Sequence, residues 1–223
     1  MFSYKKIMNS KYLKELTWMV AILILYPMSL MASSSVETPS EGPVFTLNTG
    51  QSTLGWKGTK SRGGHYGVIE MVDGSINTDG DEIIGGNFTI DMNTIVCEDL
   101  TNENMNQRLI GHLVSEDFFY TEKYPKAFFK VTGVEKQMSE KDGFSANHMV
   151  TGDLTIRGNT KQISFPADIT MEEDRIYAKT GEIMLDRTQW NVNTQTKKVI
   201  ARMTDRYIDD VMIVSLDLKF DVN

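Results

Sequence analysis

One cysteine and three histidines in 223 residues set the first limits on this chain. A lone Cys97 cannot close an internal disulfide, so stability must come from burial and strand pairing. His65, His112 and His148 show neither His-x-His nor His-x-x-x-His spacing, which removes the usual short zinc motif. No Gly-x-Ser-x-Gly elbow, Gly-rich phosphate loop, internal repeat or low-complexity tract is present. Basic residues are outnumbered, 23 against 30, for a formal charge of −7. Such an acidic surface repels phosphate, so no nucleic acid is expected as a partner.

The longest apolar run, residues 16–31, is shorter than the roughly 20 residues of a membrane-spanning helix. Lys5, Lys6, Lys11 and Lys14 precede it, and Ala32, Ser33, Ser34 and Ser35 follow. Basic, apolar and small, in that order, is a secretory signal, assigned to residues 1–34 with a cut near Ala32 or Ser34. Cleavage delivers the domain to the periplasm or the exterior. Retention anchors it to the membrane instead, with Trp18 and Tyr26 suited to the interface. Without the leader the formal charge falls to about −10. Residues 35–43 form a short Ser/Glu/Pro/Gly tether, and 44–223 are a length typical of one domain.

From residue 44 onward the dominant period is two. Candidate strands are 53–60, 66–76, 82–95, 127–137, 146–156, 161–171, 175–185 and 211–221, with 44–48 as a short extra strand at the edge. Asp79-Gly80, Asp142-Gly143 and Arg157-Gly158 supply the positive φ that tight hairpins need. Short links mean antiparallel neighbours, and eight such strands predict an all-β, up-and-down barrel, because closure removes the exposed edges. Residues 101–113 break the pattern: Met105, Leu109 and Leu113 recur at helical spacing behind Thr101 or Asn102 as N-cap. This short helix is expected to cap one mouth.

Alternation assigns an inward face: Leu54, Trp56, Phe88, Ile90, Met92, Phe129, Val131, Leu154, Ile156, Ile163, Phe165, Leu216 and Leu218. A parity shift between Ala178 and Ile183 predicts a bulge near Gly181. A barrel of this size is either filled by its own side chains or holds one small ligand. Gly58, Gly152 and Ala167 leave room, while Met92, Met171 and Met212 offer adaptable walls. His112, Phe118 and Phe119 fall at the mouth, where the two phenylalanines either line an entrance or plug one end. The chemistry-bearing candidates are His112 with Cys97 and Asp99 as a metal site, and Cys97 with His112 as a nucleophile pair. Neither has the spacing that would recommend it, and no cofactor or metal is expected.

The ordered motifs Ser52–Lys60, His65-Tyr66-Gly67, Gly85–Met92, Gly111–Phe119, Tyr124-Pro125, Gly152–Gly158, Asp186-Arg187-Thr188 and Ile208-Asp209-Asp210 resemble the YceI-like family. That resemblance implies a lipocalin-like barrel whose apolar tunnel holds a polyisoprenoid or other long-chain lipid, without catalysis. Many members carry Arg-Asp two residues before the His-Leu pair, where this chain has Ile110 or Leu109 in place of the acid and Arg108 further upstream, and its connection 188–206 is polar. The expected function is therefore lipid carriage or sequestration. Its rivals are a solidly packed barrel that binds a protein partner and, behind it, a Cys97/His112 enzyme. Monomer or homodimer is left open.

Overall fold

The computed structural model describes residues 42–60, 63–194 and 208–222. The expected leader and most of the tether lie outside the described residues. Twelve strands form one antiparallel sheet: β1 (Val44–Leu47), β2 (Thr53–Lys60), β3 (Gly64–Ile69), β4 (Met71–Asp79), β5 (Glu82–Asp91), β6 (Val96–Cys97), β7 (Lys126–Lys141), β8 (Phe144–Ile156), β9 (Asn159–Met171), β10 (Arg175–Thr180), β11 (Ile183–Asp186) and β12 (Ile208–Val222). Eight of them close a ring in the order β1-β4-β5-β7-β8-β9-β10-β12. The last link is β12 back to β1, with Phe45 opposite Val222.

The segment expected as an edge strand therefore has the opposite role. β1 pairs with both β4 and β12, and so it closes the barrel. Along β12, β1 and β2 occupy one edge end to end, while β10 and β11 occupy the other. The expected strand at 66–76 is interrupted at Glu70, whose N–H leaves the ladder for Thr94 Oγ1 at 2.8 Å. The strand at 175–185 breaks at Gly181-Glu182, and burial switches parity there from Ile176 and Thr180 to Ile183 and Leu185. This is the expected bulge position, since an inserted residue turns the next side chain to the other face. The hairpins turn on Gly80, on Asp142-Gly143 and on Arg157-Gly158, all with positive φ.

Helix α1 (Glu103–Val114) starts at Asn102, whose side chain accepts from the Met105 N–H and satisfies one of the free first-turn donors. Its buried stripe differs from the expected one. Met105 is exposed, and Leu109, Ile110, Leu113 and Val114 face the core. Inward side chains from the whole ring form a single cluster, with Ile176 and Phe220 fully buried. Phe88 packs against Phe129 and Phe220 with centroids 6.3 and 5.9 Å away, and Phe129 lies 5.8 Å from Phe165. Removing this whole cluster, rings and aliphatic side chains together, from water favours closure of the ring of strands.

Candidate functional site

The inward side chains do not fill the barrel. They enclose a cavity of about 200 Å³. Its wall runs from Ile76, Ile83 and Val134 toward the β4–β5 hairpin end to Ile95, Leu113, Phe118 and Phe119 at the helix end. Along β8 alone, Val150, Leu154 and Ile156 cover six residue steps, about 20 Å of strand. A small volume spread over that length is a narrow channel. Among the lining residues, only Trp56, Lys57 and Thr180 carry polar side-chain atoms. Each is engaged: Trp56 Nε1 donates to Val96 O at 2.9 Å, Thr180 Oγ1 accepts from Leu216 N–H at 3.0 Å, and Lys57 Nζ pairs with Glu182 at 3.4 Å. The lumen thus offers a guest dispersion and burial, and no anchor for a charge.

The helix end is closed by a built plug. Phe118 and Phe119 are buried and pack edge to face at 4.8 Å. Arg157, held at positive φ by its hairpin, donates to Phe118 O and Asn191 O at 2.8 Å and to Glu116 O at 3.3 Å. Arg187 opens a short 3-10 turn, 187–190, and is only 1% exposed. It donates to Val192 O, Asp209 O and Ile208 O, and its guanidinium lies 5.4 Å from the Phe118 ring centroid. Burial pushes its pKa down, opposed by Asp210, Asp186 and Asp209. Among the described residues Asp210 Oδ1 finds no hydrogen-bond donor, and it is balanced by the Arg187 charge 3.7 Å away. Trp190, 1% exposed, donates to Leu154 O at 3.0 Å, tying the turn to β8.

The structure places Leu54, Trp56, Phe88, Ile90, Met92, Phe129, Val131, Leu154, Ile156, Ile163, Phe165, Leu216 and Leu218 on the cavity wall, together with Phe118 and Phe119. His112 stands behind them, its ring 5.7 Å from that of Phe118, and it does not line the cavity. Gly58, Ala167, Met92 and Met212 border the space, as the sequence suggests. Gly152 and Met171 do not. A Cβ on Gly152 would stand 2.4 Å from Phe129 Cζ, so the room left by this glycine is filled by a ring and adds nothing to the lumen. The roles of Arg157, Arg187 and Trp190 escape sequence reasoning. The signals available are the placement of Arg157 and Arg187 in the ordered motifs and a tryptophan at the start of a polar connection.

Cys97 does not meet His112. Its neighbours are His65 and Asp99, and the three donor atoms lie within 4.8 Å of one another. Asp99 accepts from His65 Nδ1 at 2.9 Å, from Cys97 Sγ at 3.2 Å and from Tyr66 N–H at 3.0 Å. Burial opposes its charge, but these donors prevail and hold the carboxyl down at about 2. Burial and the adjacent carboxylate push the Cys97 thiol up. A nucleophilic cysteine needs a base facing the sulfur, and here the imidazole faces the carboxylate instead.

A closed antiparallel barrel around an apolar lumen, stoppered by a helix and an aromatic plug, defines a lipocalin-like barrel. The chain belongs to the YceI-like domain family, whose model matches residues 45–220. Protein YceI of Escherichia coli O6:H1 is 32% identical over 109 residues, which cover 49% of this chain and 51% of that protein. The chain thus spans about half the length of the curated relatives it matches. Burkholderia cenocepacia BcnA superposes with a TM-score of 0.58 at 17% identity, over 78% of this chain and 98% of BcnA. A polyisoprenoid binding domain from Saccharophagus degradans, implicated in plant cell wall breakdown, gives 0.55 at 13%, over 82% of this chain and all of that domain. At such identities the likeness concerns fold alone. Among the described residues no helix is long and apolar enough to cross a membrane.

Proposed function

We propose that this barrel binds one long-chain apolar lipid of the isoprenoid type and carries or sequesters it without chemical change, after export by residues 1–34. The observation that carries this reading is the lumen of about 200 Å³ whose lining is almost wholly apolar. Ligand pockets for compact molecules usually measure roughly 300–1,000 Å³. A smaller, elongated space suits a single flexible chain better than a ring system. Each methylene buried gains about 0.8 kcal/mol, so ten carbons outweigh the ordering of the chain by several kcal/mol. With every polar wall atom already engaged, a polar head group belongs outside the lumen. The Saccharophagus domain's polyisoprenoid binding agrees with this assignment.

Native mass spectrometry of the purified protein, followed by solvent extraction, tests the reading. The expected result is one co-purifying apolar molecule per chain, or uptake of one when a short isoprenoid alcohol is offered. Phe165→Asp places a carboxylate in the wall and is expected to lose that mass or the fold. A wild-type barrel that stays empty in the presence of isoprenoids would contradict the proposal.

A further inference from the structure

The lipid reading leaves the His65, Cys97 and Asp99 cluster unused, since none of the three lines the cavity. Strand register explains why they meet. β6 runs antiparallel to β3 with Gly67 opposite Cys97, so the chain continuing past β6 sets Asp99 opposite His65. The Glu98 N–H donates to Tyr66 O at 2.9 Å and extends that ladder by one step. A Cβ on Gly67 would sit 1.9 Å from Val96 O, so only glycine permits so close an approach. The backbone is then braced from two sides: Trp56 Nε1 holds Val96 O, and Asn106 Nδ2 bridges Cys97 O at 2.8 Å and Leu100 O at 3.1 Å. Cys97 is buried, while the side chains of His65 and Asp99 each keep 21% of their surface. The cluster is rigidly supported and within reach of solvent.

Three unlike donors converge there. Ligands bound to one metal at about 2.0–2.3 Å stand roughly 3.3–3.8 Å apart. Cys97 Sγ lies 3.2 Å from Asp99 Oδ1 and His65 Nδ1 lies 2.9 Å from Asp99 Oδ2, and one donor atom from each of the three residues falls within 4.8 Å of the others, close to that spacing. Cys97 Sγ and His65 Nδ1 both face the same carboxylate, the sulfur at Oδ1 and the ring at Oδ2, so an ionised Asp99 takes a proton contact from each.

We propose that His65 Nδ1, Cys97 Sγ and an Asp99 oxygen bind one zinc-type divalent transition-metal ion, leaving a fourth position for water or an outside ligand. On binding, the thiol releases its proton to solvent and His65 moves its proton to Nε2, giving up the 3.3 Å contact with the exposed Lys60 ammonium. Thiolate and carboxylate together neutralise the dication. One sulfur, one imidazole and one carboxylate favour zinc over calcium or magnesium, which prefer all-oxygen sites. The site does not depend on the lipid assignment.

The test uses tag-free protein with its thiol reduced, titrated with Co(II) by absorbance and with Zn(II) by calorimetry. Expected are one ion per chain and a near-ultraviolet thiolate-to-cobalt band that disappears in Cys97→Ser. His65→Gln and Asp99→Asn should weaken zinc by roughly tenfold or more, and His148→Gln should bind as wild type. Circular dichroism identifies any variant that has not folded, and the wild-type titration stands independently of the variants. Absence of saturable one-to-one binding to the wild type, or an unchanged cobalt band in Cys97→Ser, overturns the proposal.

Discussion

Single residues in this barrel are legible when their chemistry is local and hidden when it depends on what the fold brings near. His148, on β8, is half-buried, and its Nδ1 lies 2.6 Å from Asn147 Oδ1. Burial, aided by Lys136 and opposed by Asp168, pushes its pKa below 6.5. A histidine depressed in the folded state contributes stability fully above its unfolded pKa and loses it as pH falls. Urea midpoints of the wild type should therefore decline from about pH 6.5 downward, and His148→Gln should flatten that decline. Identical slopes in both proteins would show that the ring is not held neutral. The pairing of Cys97 with His65 was hidden for the opposite reason. Thirty-two positions of sequence separate them, and only the β3–β6 register shows that 65 and 99 face each other.

Among the elements, the strands were read best. Period-two alternation and turn residues depend on neighbours a few positions away, so the positions of most strands and the parity shift near Gly181 follow from the order of residues, whereas the break at Glu70 inside 66–76 does not. The helix start at Asn102 is local too, whereas the helix face is not: Met105 fits the spacing but finds nothing to cover it. Closure by β1 was missed because a four-residue strand carries no sign that it has two partners. The 3-10 turn at 187–190 was missed for a related reason. Its strength lies in Arg187, a charge beside Asp186 in sequence that becomes the hub joining the Phe118 plug, Val192 and the start of β12. Arg187→Ala removes the guanidinium that donates to Val192 O, Ile208 O and Asp209 O and that faces the Asp210 carboxylate. The expected loss is about 3–5 kcal/mol of unfolding free energy in urea titrations. A change within about 0.5 kcal/mol would place the variant among ordinary surface substitutions and refute the hub role.

For the molecule as a whole, the wall residues follow from alternation, but the emptiness between them does not. Side-chain volumes around a closed ring must be summed in three dimensions, and Gly152 shows how a small residue's space is taken by the Phe129 ring across the strand pair. Ala167 differs, because it borders the lumen from β9 between Phe165 and Ile169. Ala167→Phe should fill part of the channel and leave the sheet intact. Native mass spectrometry of this variant beside the wild type, after both are offered the same isoprenoid alcohol, is the most direct measurement. A hollow barrel predicts a folded Ala167→Phe protein that carries no lipid while the wild type carries one molecule. A variant that binds as the wild type does, or a wild type that binds nothing, would contradict a lipid held in the lumen.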